Sequence, residues 1–203
     1  GNSRYHIMRE VERSLRRLDT DHIDIYLMHL RDRTTPLVEA IGAMGDLVRQ
    51  GKIRYWGVSN FAAWELCECL WTADRLTASK PICIQNPYSL LNRELENEVL
   101  PLCREAGVAI EAFSPLAIGL LTGRYSGVRR PSPDSFWGGR GKDDFDRVFS
   151  QQTRDIIATV VDIADLTGTT PTRVAINWVL SRPELTVAVI GPSRLEHLED
   201  NVA

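Results

Sequence analysis

Apolar residues recur along this chain in two alternating periods, and the alternation predicts helices and strands in turn. Ile7, Val11, Leu15 and Leu18 fall on one helical face, and Ile23 to His29 then reads as a strand carrying Ile23, Ile25, Leu27 and Met28. A helix from about Pro36 to Gln50 takes proline in its first turn and stops at Gly51. The run Ile53 to Ser59, with Tyr55, Trp56 and Val58, is rich in β-formers, and Asn60 breaks it. A helix over about Ala62 to Arg75, a strand over Ile82 to Gln85, a helix over Arg93 to Ala106 and a strand over Val108 to Phe113 continue the rhythm.

The segment 126–146 interrupts it. Rich in Pro, Gly and Arg and without periodicity, it reads as a long loop, which inside a compact domain is more often a functional cover than a linker. Helices over about Gln151 to Thr167 and Pro171 to Ser181, a fifth strand over Thr186 to Ile190, and a final helical stretch after Gly191-Pro192-Ser193 complete the pattern. One domain over 1–203 is expected. Five parallel strands with intervening helices fit an open doubly wound α/β sheet or part of a (β/α)8 barrel. The lack of a GxGxxG turn after any strand argues against the dinucleotide-binding open sheet.

With 203 residues, 43% of them hydrophobic and 25% charged, the chain can bury a sizeable core. A net charge of −3 and arginines spread over many segments give no basic footprint, so no nucleic-acid partner is expected. No apolar run approaches a membrane span, and residues 1 to 12 hold no signal-peptide core, so a cytoplasmic protein with no membrane partner is expected. Cys67, Cys69, Cys83 and Cys103 match neither a zinc nor a CxxC spacing and read as reduced packing residues, with no metal site.

Polar residues stand at the carboxyl ends of the strands, where parallel α/β proteins carry their chemistry. They are His29, Ser59-Asn60, Gln85-Asn86, Ser114 and Ser193-Arg194. Ser59 and Asn60 offer a hydroxyl, an amide acceptor and two amide donors, a set suited to a flat carboxamide; the competing reading is an ordinary helix N-cap. His29, ending an apolar strand, is, taken by itself, more often a packed or capping residue than a catalytic one.

Five segments, taken in order, resemble the aldo-keto reductase family: Asp24 to His29, Gly57 to Phe61, Gln85 to Arg93, Phe113 to Ala117 with Gly119 and Gly123-Arg124-Tyr125, and Gly191 to Asn201. The resemblance covers essentially the whole chain. It implies a (β/α)8 TIM-barrel reductase that holds extended NADP(H) across the strand ends and passes hydride to an aldehyde or ketone. By that resemblance Ser59, Asn60 and Gln85 would hold the nicotinamide carboxamide. Ser114, Pro115, Leu116, Ala117 and Gly119 would lie along the pyrophosphate, with Arg124 near the phosphates. Ser193 and Arg194 would take the 2′-phosphate, which favours NADP over NAD. His197, where the family commonly has Gln, would with Asp200 and Asn201 contact the adenine. Tyr88 would correspond to an aromatic near the nicotinamide or the barrel mouth, and 126–146, with Phe136, Trp137 and Arg140, to a segment covering the cofactor and shaping the substrate pocket.

His29 is the one catalytic residue the resemblance finds here, orienting and polarising the substrate carbonyl. Arg31 replaces a common proline after it, and Asp32 keeps the usual acid. The family's Asp, its Tyr acid and the Lys partner lie upstream of this histidine, so the chain is expected to be a fragment holding barrel strands 4 to 8 and, alone, inactive. Unpaired sheet edges and an exposed barrel interior would then promote self-association, a homo-oligomer included. A second reading is a cofactor-binding regulatory module of the same fold, similar to potassium-channel β subunits. A third, a non-reductase barrel with a generic phosphate site, leaves Ser59, Asn60 and Gln85 unexplained.

Overall fold

The computed structural model describes residues 1–127, 132, 136–140 and 142–202. Of the expected covering loop 126–146, residues 128–131, 133–135 and 141 lie outside the described residues. The strands are β1 (Ile23–Met28), β2 (Ile53–Ser59), β3 (Cys83–Pro87), β4 (Ala109–Phe113) and β5 (Val187–Val189), in the sheet order β1-β2-β3-β4-β5. The first three pair in parallel, with Met28 beside Val58 and Ser59 beside Gln85, so the expected strand ends stand in register. A parallel sheet in chain order, alternating with helices, is the arrangement of a partial (β/α)8 barrel.

The described helices are α1 (Arg4–Leu18), α2 (Leu37–Arg49), α3 (Ala63–Arg75), α4 (Val99–Ala106), α5 (Lys142–Val148), α6 (Gln151–Thr167), α7 (Pro171–Leu180) and α8 (Leu195–Val202). Among the described residues no helix is long and apolar enough to cross a membrane.

Contacts divide the chain into two compact units. One comprises Gly1–Asn86 with Leu95–Glu111, the other Pro87–Glu94 with Ala112–Ala203. In the first, Ile7, Val11 and Leu15 of α1 and Ile41, Met44 and Leu47 of α2 are buried, as are Trp56 and Val58 of β2 and Ile84 of β3. Trp56 satisfies its indole by donating to the Ser79 carbonyl at 3.0 Å, which lets a large ring sit fully inside. In the second, Leu120, Leu121, Tyr125, Trp137, Phe145, Phe149, Ile157, Val160 and Ala175 form one apolar cluster, with Phe145 and Phe149 stacked at 4.6 Å.

Three boundaries differ from the sequence reading for physical reasons. Pro36 is the N-cap of α2, with an extended ψ of 131°, and not a residue of its first turn. The helix expected over Arg93 to Ala106 is a 3-10 turn, Glu94–Glu96, followed by α4, because a continuous helix would place Pro101 in its interior. In the observed α4, Pro101 falls in the first turn, where its missing N–H costs no helical bond. The segment read as loop also contains α5, whose Phe145 and the following Phe149 lie four apart and enter the core.

Candidate functional site

In the first unit the end of β2 is pressed against its neighbours. A Cβ on Gly57 would sit 2.5 Å from Cys83 Sγ, 2.6 Å from the Cys83 carbonyl and 2.8 Å from Leu27 Cδ2, so only glycine permits this approach. Two residues on, Ser59 is buried, and Asn60 turns out of the strand with φ of 59°. The Asn60 N–H donates to the Gln85 carbonyl at 3.1 Å, which fastens this turn to β3. Neither Ser59 nor Asn60 caps the next helix. The N-cap of α3 is Ala62, whose N–H is taken by Glu65 Oε2 at 3.0 Å, and Glu65 is held in turn by Arg33 at 2.6 Å.

The side chains are therefore spent differently from a cap. Asn60 Nδ2 donates to the His29 carbonyl and to Ser59 Oγ, both at 3.0 Å, and Gln85 Nε2 donates to Glu111 Oε2 at 2.7 Å. These acceptors fix the sense of both amides. What remains is the Ser59 hydroxyl proton and the second Gln85 Nε2 proton as donors, with Asn60 Oδ1 and Gln85 Oε1 as acceptors. The two amide donors counted from the sequence for Asn60 are both occupied within the protein. Glu111, on β4, was missed; a glutamate between Ile110 and Ala112 carries no motif signal, and only its place across from Gln85 reveals it.

His29 follows β1 with its residue exposed, and lines a cleft of about 400 Å³ with Tyr26, Glu10, Met28 and Asn60. Burial pushes the half-buried Tyr26 phenol up, aided by the Glu10 charge. The loop after His29 is organised by Asp32, whose carboxylate accepts from the Thr34 hydroxyl at 2.6 Å, the Thr34 and Asn2 N–H groups at 2.9 and 3.0 Å, and the Thr35 hydroxyl at 2.9 Å. The Thr34 hydroxyl first, with the other donors, holds this carboxyl well below the usual carboxylate range. Burial and the Glu111 carboxylate push the Cys83 thiol up to about 12.

In the second unit a groove of about 980 Å³ gathers the other expected residues. Ser114, Pro115, Leu116, Gly119 and Arg124, from the chain after β4, and Ser193, Arg194, His197, Asp200 and Asn201, from the chain after β5, all line it. Ala117 does not line it and packs against the aromatic cluster instead. The chain after β4 is bent by left-handed residues: Ser114 at φ 56°, Ala117 at 47°, Ile118 at 55° and Gly119 at 82°. Such angles cost roughly 1–3 kcal/mol each in a non-glycine residue and concentrate where backbone must meet a ligand. Trp137 donates to the Ile118 carbonyl at 3.1 Å and so holds the bend from the buried side.

Arg194 is exposed and paired with Glu196 at 3.2 Å. Asp200 accepts from the Thr170 hydroxyl at 3.1 Å and from Arg173 Nε at 3.0 Å, so its carboxylate also ties α8 to the start of α7. Thr172 and Phe136 line the groove as well. Thr172, second residue of α7 after the Thr170-Pro171 cap, was legible only as a helix start. Tyr88 is fully buried and stacks on Trp178 at 5.4 Å, a packing residue of this unit. Among the described residues no His, Cys, Asp and Glu cluster could hold a metal ion.

Parallel strands in chain order alternating with helices define the α/β class, in the arrangement of a partial (β/α)8 barrel. Residues 1–203 match the profile of the Aldo/keto reductase family, and the chain belongs to that family. It is 39% identical over 202 residues to "Uncharacterized oxidoreductase YrpG" of Bacillus subtilis, covering 100% of this chain and 59% of that protein. It is 34% identical over 203 residues to "Probable voltage-gated potassium channel subunit beta" of Arabidopsis thaliana, covering 100% and 62%. It is 34% identical over 213 residues to "Versiconal hemiacetal acetate reductase" of Aspergillus parasiticus, covering 100% and 58%. The chain thus spans about three fifths of the length of these relatives.

Proposed function

We propose that the protein carrying this chain is an NADP(H)-dependent oxidoreductase that reduces aldehyde and ketone carbonyls to alcohols. The observation that carries the reading is the set of hydrogen-bonding groups left over at β2 and β3. The Ser59 hydroxyl and the second Gln85 Nε2 proton as donors, with Asn60 Oδ1 and Gln85 Oε1 as acceptors, can meet a carboxamide, which has one carbonyl oxygen and two N–H groups. When bound, reduced nicotinamide would supply the hydride. Ser59, Asn60 and Gln85 would fix which face of the ring meets the substrate. His29, exposed at the end of β1, would donate a hydrogen bond from its imidazole to the substrate oxygen and so orient the carbonyl. Along the groove of the second unit, Ser114, Leu116 and Gly119 would let the chain lie close to the pyrophosphate, with Arg124 nearby. Ser193 and Arg194 would receive the 2′-phosphate, and His197 and Asn201 the adenine, with Asp200 contributing what its bonds to Thr170 and Arg173 leave free.

Consumption of NADPH by the intact protein with a panel of aromatic and aliphatic aldehydes tests this reading. Turnover that falls at least tenfold in H29A supports it, and turnover indifferent to His29 contradicts the role given to that residue. A second reading, cofactor binding for regulation, is favoured by the relative named as a potassium channel subunit beta. NADPH binding without turnover of any carbonyl would select it.

A further inference from the structure

We infer that Glu111 is a positioning residue that sets the donor and acceptor sense of the Gln85 amide and thereby makes the site select a carboxamide. The inference rests on the reading of Gln85 as a nicotinamide partner. A glutamine amide is nearly symmetric in shape, so a neighbour must decide which end is oxygen and which is nitrogen. Here the neighbour is a carboxylate, which can only accept, and it lies 2.7 Å from Nε2. The planar amide then directs Oε1 to the side away from Glu111.

Asn60 receives the same treatment by different means, since its Nδ2 is committed to the His29 carbonyl and Ser59 Oγ. Asn60 is thus left with only its acceptor for a ligand, while Gln85 keeps Oε1 on the end turned away from Glu111 and one Nε2 proton uncommitted. A ligand group that meets both oxygens, Asn60 Oδ1 and Gln85 Oε1, must bring two N–H donors, which a carboxamide has and a methyl ketone of the same shape lacks. Glu111 need not touch the ligand for this effect. Ser59 pairs in register with Gln85, and the Asn60 N–H bonds the Gln85 carbonyl, so the backbone holds the two acceptors together while Glu111 settles the polarity of one of them.

The probe is 3-acetylpyridine adenine dinucleotide phosphate, in which a methyl group replaces the carboxamide nitrogen. Its dissociation constant and that of NADP+ are measured for the intact protein, for E111M, E111Q and Q85L. The wild type is expected to prefer NADP+ by about tenfold. E111M, which leaves Gln85 free to turn, is expected to narrow that ratio at least threefold while retaining NADP+ binding, with E111Q narrowing it less. The double variant E111M/Q85L should discriminate no worse than Q85L, because both changes act on one contact. Comparing two ligands in one variant cancels any general loss of folded protein. A wild-type ratio preserved in E111M overturns the inference, and if E111M does not fold, a preserved ratio in E111A, which likewise offers Gln85 no acceptor, does so. A wild type that binds both ligands equally, or a Q85L variant with an unchanged ratio, overturns the assignment of Gln85 to the carboxamide and the inference with it.

Discussion

The side-chain amide of Asn60 donates a 3.0 Å hydrogen bond to the backbone carbonyl of His29, tying the end of β2 to the end of β1. One residue thereby serves two parts of the candidate site, since the same amide presents Oδ1 as an acceptor while it anchors the turn that carries His29. N60D removes the donor and faces two oxygens toward each other. It is expected to weaken NADPH binding about tenfold and to lower carbonyl turnover further, measured by fluorescence titration and steady-state kinetics. Unchanged affinity would show that the Asn60 amide serves the fold alone.

Gly57 lets β2 close against Cys83 and Leu27. G57A forces a methyl group within 2.6 Å of a backbone carbonyl that cannot swing aside. Overpacking of this kind costs about 1–3 kcal/mol, so the urea midpoint of G57A should fall clearly below that of the parent. An unaltered midpoint would show that β2 and β3 separate easily there.

The cysteines should separate into two classes. Burial pushes Cys69 and Cys83 up to about 12 and Cys103 up to about 11, whereas Cys67 is exposed. One fast thiol is expected with a chromogenic disulfide at pH 8, abolished in C67S, and three more only in denaturant. For the three buried thiols the folded value lies above the ordinary 9.0. Their contribution to stability is therefore complete below about pH 9 and is lost as pH rises toward 11–12.

Asp32 has the opposite sign. Its carboxyl is held well below the usual 3.8 by Thr34, Asn2 and Thr35, so the stability it contributes is present above that value and is lost progressively as pH falls below it toward the folded value. D32N should be less stable than the parent at pH 7, and the two unfolding curves should converge as the solution is acidified below about pH 4. Curves that stay parallel across that range would contradict the assignment.

Helix α6 shows what was legible in the sequence: Ser150 caps it, Gly168 ends it in the left-handed region, and both signals are local. The same holds for the strand ends, because Ser59, Gln85 and Ser114 are marked by the motifs around them. What stayed hidden was non-local. α5 lay behind a Pro- and Gly-rich stretch, and its aromatic pair gains meaning only from Tyr125 and Trp137 in the same cluster. Glu111 reads as a polar interruption of a strand until Gln85 is found beside it. The use of the Asn60 donors depends on the His29 carbonyl, 31 residues away in sequence.

The most direct test of the central claim is a paired titration of the intact protein with NADPH and NADH, repeated in R194Q. Two charge-assisted hydrogen bonds from Ser193 and Arg194 to a 2′-phosphate should make NADPH bind at least tenfold more tightly, and R194Q should erase most of that preference while leaving NADH affinity unchanged. Equal affinity of the parent for the two nucleotides, or binding of neither, would contradict the account.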